Sequence, residues 1–164
     1  MACESVGKNG VVVGVDLKAV QPFKPAELQI QKKSQGFITP ILVTGDVNSP
    51  ETQDELRSGL GGALCDVLIS DLSAAISGIR DRDIAQAAEI LELVFRCAET
   101  FCRDGASVVA KTFPSPDTDA IIKRYQSRFK KLNRVSLDST RKSSNEFYLV
   151  GMGFQRADAR IVRE

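Results

Sequence analysis

The chain has 164 residues, of which 43% are hydrophobic and 26% are charged, and its formal net charge is +1. This length suits one domain with a proper core rather than two, and the small net charge means that any nucleic-acid-binding surface must be local. No apolar stretch reaches membrane-spanning length, so we expect no membrane partner.

Histidine is absent from the sequence. Its absence excludes histidine-based triads and histidine general bases and removes most transition-metal sites, so we predict no metal. The four cysteines show no CxxC spacing, which favours free thiols in an intracellular protein over a zinc site or a disulfide framework. Catalysis, if present, must rest on Asp, Glu, Lys, Ser, Cys or Tyr side chains.

The first half of the chain predicts three short strands and one helix. The helix covers residues 48–62, with Ser49 as N-cap and Pro50 at the first position, where its missing N–H costs nothing. The strands are β-branched or apolar runs bounded by turn residues. They are predicted at residues 10–16, 41–44 and 65–71.

The second half predicts two helices and three strands. Apolar residues recur at helical spacing from Ile84 to Cys102, with Asp83 and Gln86 resembling a capping box and Gly105 as the stop signal. The second helix is predicted at residues 116–132, and the strands at 107–111, 134–137 and 146–154. Strands that alternate with helices indicate an α/β domain with a mainly parallel sheet, here over residues 1–154, followed by a charged tail at 155–164.

Five ionisable residues are predicted to meet at one edge of this sheet. Four predicted strands end in or shortly before a charged residue, namely Asp16, Asp46, Asp71 and Lys111, and Glu146 opens the last strand. Ligands of open α/β sheets bind at the carboxyl ends of the strands, and an antiparallel last strand begins at that same edge. Each aspartate alone is more often a turn former, and Lys111 alone could extend over apolar surface. The joint pattern favours a site.

Two kinds of chemistry suit these residues. A carboxylate that closes an early strand can accept hydrogen bonds from both hydroxyls of a ribose. A lysine can accept a proton when burial or another cation destabilises its ammonium form, whereas neighbouring carboxylates stabilise that form. No second lysine is evident in the sequence to oppose the carboxylates.

The same residues lie in motifs that resemble a known family. In the family's order and spacing, the chain resembles the FtsJ/RlmE family of S-adenosylmethionine-dependent RNA 2′-O-methyltransferases over nearly its whole length. The resemblance implies a Rossmann-like three-layer sandwich with an antiparallel last strand. The matching motifs are "VVVGVDL" with Asp16, "GD" with Asp46, "VLISDLSAAISG" with Asp71, "DIAQAAEILELVFRCAETFCRDGASVVAKTF" with Lys111 and "DSTRKSSNEFYLVGMGF" with Glu146.

The resemblance also implies roles for these residues. Asp71, Lys111 and Glu146 match the last three members of the family's Lys-Asp-Lys-Glu tetrad. Lys111 would take or polarise the proton of a ribose 2′-hydroxyl, Asp71 would orient the lysine and the cofactor, and Glu146 would support the site. Asp16, Asp46 and Asp71 match the acids that bind S-adenosylmethionine, with Asp16 at the ribose and Asp46 on the adenine side.

RNA is the partner that the resemblance implies, with ribosomal RNA first and transfer RNA as the alternative. Arg141 and Lys142 lie close to Glu146 in the sequence, and we predict that they meet phosphates. For the basic residues at 123–131, a solvated helix face is an equally good interpretation. We expect a cytoplasmic monomer, with the nucleolus or the mitochondrion as alternatives for a eukaryotic source.

The sequence departs from the family pattern at two places. Ser73, Ala74 and Ala75 stand where the family usually has Ala-Pro-Asn, and the family's first lysine, first strand and glycine-rich loop have no counterpart. That strand lies between the strands that end in Asp16 and Asp71, so its loss would leave two buried edges unpaired. We expect a truncated sequence, with re-paired strands or a strand from a partner as alternatives.

Two other functions remain as hypotheses. The absent glycine-rich loop favours a non-catalytic, methyltransferase-like module that binds RNA or a protein. A nicotinamide oxidoreductase is a weak third hypothesis, because the sequence contains no GxGxxG loop.

Overall fold

The computed structural model describes residues 2–20, 40–72, 80–136 and 146–157. The chain divides into two compact units, Met1–Ala63 and Leu64–Glu164. The assignment of residues 1–154 to one domain stays a prediction. Within the described ranges, no helix is both long and apolar enough to cross a membrane.

The first unit contains a two-stranded parallel sheet. Val13 lies opposite Ile41 in this pair, and Asp16 lies opposite Thr44. The strand predicted at 41–44 is confirmed in its bounds, whereas the one predicted at 10–16 begins three residues later. The elements are α1 (Ala2–Ser5), β1 (Val13–Asp16), β2 (Ile41–Thr44) and α2 (Pro50–Gly59).

Helix α2 begins as the sequence predicts. Ser49 is its N-cap, and the Ser49 Oγ accepts a hydrogen bond from the Thr52 N–H at 3.2 Å. This bond satisfies one of the four N–H groups that a helix start leaves without a helical acceptor. Pro50 follows at the first helical position, where no N–H is needed.

The second unit contains the strands β3 (Cys65–Ser70), β4 (Cys102–Thr112), β5 (Phe129–Val135) and β6 (Phe147–Phe154). They form a four-stranded mixed sheet in the order β3-β4-β6-β5. β3 and β4 are parallel, and β6 is antiparallel to both β4 and β5. The predicted α/β class and the antiparallel last strand are therefore confirmed. The helices of this unit are α3 (Arg80–Phe101) and α4 (Pro116–Tyr125).

Aromatic side chains build much of the core of this second unit. The Phe95 ring of α3 stacks on Tyr125 of α4 at a centroid distance of 4.4 Å, and Phe129 packs against Phe154 at 5.2 Å. Gly151 makes room for this contact, since a Cβ there would lie 2.5 Å from the Phe129 ring. Each fully buried aromatic side chain contributes about 1.5–3 kcal/mol of hydrophobic stabilisation.

The predicted ends of helix α3 are wrong. The helix already includes Arg80, so Asp83 lies inside it and is not an N-cap, and it ends at Phe101 rather than near Gly105. Cys102 then pairs with Cys65 of β3, and the chain bulges through residues 103–106 before Ser107 pairs with Val67. Gly105 has φ of 84° inside this β4 bulge, a conformation that glycine adopts without strain.

The predicted helix at 116–132 is too long. α4 ends at Tyr125, a 3-10 turn spans Gln126–Arg128, and β5 begins at Phe129 instead of residue 134. Phe129 and Leu132 are three residues apart, a spacing that imitates a helix. The pairing of Phe129 with Phe154 across the β5–β6 ladder decides for the strand, because tertiary contacts override local propensity.

Strand β3 is buried on one face only. Val67 is 53% exposed and Ile69 is 66% exposed. Leu68, on the opposite face, packs against the core. Continuous apolar strands are typical of parallel sheets that are covered on both faces. In the part of the chain that the structure describes, the Val67–Ile69 face lacks such a cover.

Candidate functional site

An ion pair joins the carboxyl ends of β3 and β4. Lys111 is the penultimate residue of β4, and Asp71 directly follows β3, whose last residue Ser70 lies opposite Ala110. The parallel register therefore places the two charged residues side by side. The Lys111 Nζ donates a hydrogen bond to the Asp71 Oδ1 at 3.1 Å. The sequence-based expectation that these two residues meet is confirmed.

The two members of this pair differ in their exposure to solvent. The Lys111 side chain is only 17% exposed, whereas the Asp71 side chain is 77% exposed. Sheltering an ammonium group carries a desolvation cost, which a charge-assisted hydrogen bond offsets. The geometry thus presents a sheltered amine, directed by a carboxylate, at the edge where α/β sheets bind ligands.

Glu146 lies at the same end of the sheet as Lys111. It immediately precedes β6, in which Phe147 pairs with Thr112 and Tyr148 pairs with Lys111 in antiparallel fashion. Glu146 is half-buried. Among the described residues it forms no ion pair with Lys111, so the structure brings it to the edge but not into the pair.

Asp16 and Asp46 lie at the carboxyl ends of the strand pair in the first unit. The Asp16 Oδ1 accepts a hydrogen bond from the Lys18 N–H at 2.8 Å. The Asp46 Oδ1 accepts from the N–H of Asn48 at 2.9 Å and from its Nδ2 at 3.0 Å. Both acids thus form turns, as the simpler interpretation had it, and both are exposed. That all five charged residues share one edge stays a prediction.

The eight basic residues at positions 123–142 divide into three groups. The predicted RNA contacts Arg141 and Lys142 lie outside the described residues. Three arginines are used in ion pairs, which favours a structural role for them: Arg124 with Glu92, Arg128 with Glu99 and Arg134 with Asp119. Three exposed lysines form no ion pair with any described residue: Lys123, Lys130 and Lys131.

Two thiols that the sequence does not place together are neighbours in the structure. The Sγ atoms of Cys65 and Cys102 lie 3.5 Å apart, although the residues are 37 positions apart in the chain. Only the register between β3 and β4 makes them neighbours, and spacing along the sequence does not reveal that register. Within the described ranges, no group of three or more Cys, Asp or Glu side chains is arranged to hold a metal ion.

The FtsJ-like methyltransferase family model matches residues 1–154. The ribosomal RNA large subunit methyltransferase E of Methanothermobacter thermautotrophicus is 35% identical over 155 residues, covering 94% of this chain and 67% of that protein. The protein of the same name from Halorubrum lacusprofundi is 31% identical over 157 residues, covering 96% of this chain and 54% of that protein. The chain therefore spans between about half and two thirds of the length of these two curated relatives.

A solved structure shares the fold. A protein described as a ribosomal RNA methyltransferase from Plasmodium falciparum superimposes with a TM-score of 0.69, at 15% identity, over 92% of this chain and 90% of that chain. This similarity confirms the predicted Rossmann-like methyltransferase fold. The family match over residues 1–154 agrees with this structural similarity. The chain belongs to the FtsJ-like methyltransferase family.

Proposed function

We propose that this chain is an RNA ribose 2′-O-methyltransferase that uses S-adenosylmethionine and acts on ribosomal RNA. The observation that carries the proposal is the ion pair between Lys111 and Asp71 at the carboxyl ends of β3 and β4, with Glu146 at the same edge. Family membership and the enzyme names of the matched relatives support it. Those names do not favour the non-catalytic alternative.

The acids of the first unit fit the donor groups of S-adenosylmethionine. Ribose hydroxyls and an adenine amino group donate hydrogen bonds, and the exposed carboxylates of Asp16 and Asp46 accept them. Each uses its Oδ1 for a turn, and no described residue donates to either Oδ2. Asp16 would hold the ribose and Asp46 the adenine. When bound, S-adenosylmethionine supplies an electrophilic methyl group on a sulfonium.

Lys111 is the residue that would meet the ribose 2′-hydroxyl. In its neutral form, the Nζ accepts the hydroxyl proton as the oxygen becomes a nucleophile, and the proton ends on the Nζ. The Asp71 Oδ1 fixes the direction of the Nζ and stabilises the ammonium group that results. Glu146 contributes a second carboxylate at this edge. Positioning of the two reacting groups supplies much of the rate.

The test is a methylation assay with the 164-residue chain, ribosomal RNA and S-adenosylmethionine that carries a labelled methyl group. Ribose 2′-O-methylation blocks alkaline cleavage, so we expect label in dinucleotides that survive alkali, and 2′-O-methyl nucleosides by mass spectrometry. Transfer RNA serves as the comparison substrate. Label on a base would contradict the proposal. Failure to bind S-adenosylmethionine in a calorimetric titration, together with absence of label, would favour the non-catalytic alternative.

A further inference from the structure

The thiols of Cys65 and Cys102 form a pair at the end of the β3–β4 ladder that is remote from Lys111 and Asp71. Cys65 is the first residue of β3 and Cys102 the first of β4, and the two are strand partners. Their Sγ atoms are 3.5 Å apart. Both are free thiols in the structure. Neither takes part in the proposed methyl transfer.

The backbone geometry at this pair suits a disulfide. Neighbouring strands lie about 4.7–4.9 Å apart, inside the range of about 4.4–6.8 Å that a disulfide requires between Cα atoms. Closing the bond needs the sulfur separation to fall to about 2.05 Å, which rotation about the Cα–Cβ bonds can supply. The adjacent Arg103 Nε donates to the Asp66 Oδ1 at 2.6 Å and holds the same ends of the two strands together.

The two thiols have different surroundings. Cys65 is half-buried, whereas Cys102 is fully buried. The hydrogen-bonded contact with the Cys102 thiol lowers the pKa of Cys65, although burial acts in the opposite direction. The same contact and burial raise the pKa of Cys102. Because Cys65 is the more exposed of the two thiols, it is the one that a dissolved peroxide reaches, and its thiolate is the nucleophilic form.

We propose that Cys65 and Cys102 are a redox-active dithiol that closes to a disulfide when the chain meets a hydroperoxide. The Cys65 thiolate attacks one peroxide oxygen, the O–O bond breaks, and Cys65 becomes a sulfenic acid as hydroxide leaves and takes up a proton. The Cys102 sulfur then loses its proton and attacks the Cys65 sulfur. The S–S bond forms, the S–O bond breaks, and water leaves. Two thiols are oxidised by two electrons, and hydrogen peroxide is reduced to two molecules of water.

The disulfide would restrain the strand pair that carries Asp71 and Lys111 at its other end. A bond between residues 37 positions apart encloses α3 and removes conformational freedom from the unfolded chain. For a chain of this size we expect the melting temperature of the oxidised form to exceed that of the reduced form by roughly 5–10 °C. A reductant should abolish the difference.

The test uses the Cys97→Ser chain, treated with hydrogen peroxide or with dithiothreitol, then digested with trypsin and analysed by mass spectrometry without reduction. Trypsin releases Cys65 in peptide 58–80 and Cys102 in peptide 97–103, which also holds Cys97. The Cys97→Ser substitution makes the assignment unique. We expect this substitution to leave the oxidation of the other thiols unchanged. Burial raises the pKa of Cys97 to about 11, so the Cys97 thiol reacts slowly. We expect the two peptides to be joined after peroxide treatment only.

Two further variants make the outcome decisive. In Cys102→Ala, we expect the Cys65 sulfenic acid to persist and to be trapped by dimedone, whereas Cys65→Ser should show equal melting temperatures with and without peroxide. A Cys97→Ser chain that keeps both thiols unmodified, or that carries Cys65 as a sulfinic acid without a linked peptide, would overturn the proposal. The melting temperature of each reduced variant checks that it folds.

Discussion

Lys111 lies near the end of a strand and has a sheltered ammonium group. Substitutions can distinguish a role as proton acceptor from a role that needs only its positive charge. An arginine would keep the positive charge beside Asp71, but a guanidinium stays protonated in proteins and accepts no proton. We therefore expect Lys111→Arg and Lys111→Ala both to lower kcat for RNA methylation by about 100-fold or more. Turnover measurements at saturating S-adenosylmethionine check this.

The control for that comparison is Lys8→Ala, which removes a lysine from the first unit. It should leave turnover unchanged, and calorimetry should show that both Lys111 variants still bind S-adenosylmethionine. Full activity of Lys111→Arg would mean that the residue supplies charge alone. In that case another group would have to accept the hydroxyl proton.

At this scale the sequence predicts positions better than environments. The meeting of Lys111 and Asp71 follows from two strand ends and a parallel register, and the place of Glu146 follows from an antiparallel last strand. The difference in exposure within the ion pair depends on how the sheet packs, which no local pattern encodes. The contact between Cys65 and Cys102 escaped prediction because the apolar spacing places Cys102 at the end of the helix, whereas Cys102 is the first residue of β4.

At the scale of elements, the start of α4 rests on one buried serine. The Ser115 Oγ accepts from the Thr118 N–H at 3.0 Å and donates to the Thr118 Oγ1 at 2.9 Å, and Thr118 is fully buried. Ser115→Ala removes the cap and leaves the buried threonine hydroxyl without its donor. We expect the free energy of unfolding to fall by about 1–3 kcal/mol in urea titrations.

Ser127→Ala is the matched control for this substitution. Ser127 is an exposed serine in the 3-10 turn, with no side-chain hydrogen bond to any described residue. Its replacement should change the free energy of unfolding by less than about 0.5 kcal/mol. If both variants lose the same free energy of unfolding, the cap of α4 contributes no more to stability than an exposed serine does.

The capped starts of α2 and α4 were predicted correctly, whereas the start of α3 and the end of α4 were not. Ser49 and Pro50 mark the start of α2 with local chemistry, and the structure confirms both. The end of α4 depends instead on Phe129 pairing with Phe154, a contact between residues far apart in the chain. The sequence indicates Gly105 as the end of α3, whereas it lies in the β4 bulge. Glycines with positive φ occur in bulges as well as at helix ends.

At the scale of the whole molecule, the small net charge and the exposed face of β3 both favour self-association. An edge strand can pair with an edge strand of another copy of the chain unless charged side chains oppose the contact. β5, at the other edge, carries Lys130 and Lys131, whereas β3 shows Val67 and Ile69. A net charge of +1 provides little repulsion between copies. We expect concentrated solutions of the chain to self-associate, as light scattering would show.

Ile69→Lys should reduce that scattering. The control is Met152→Lys, which places the same charge on a residue that is 50% exposed but lies on the inner strand β6. Because both variants change the net charge equally, a larger effect of Ile69→Lys assigns self-association to the β3 edge. Equal effects would assign it to net charge alone.

The β4 bulge has a consequence for how the length of this chain can vary. Cys102 and Ser107 are both fixed by pairing with β3, but residues 103–105 between them are exposed and outside the ladder. Extra residues after Asp104 would lengthen a surface excursion without moving either anchor. A one-residue insertion between Ser107 and Lys111 would instead shift the register and turn the following side chains of β4 to the opposite face. The bulge is therefore the position in β4 at which an epitope tag or a reporter peptide can be inserted without disturbing the part of the strand that holds Lys111.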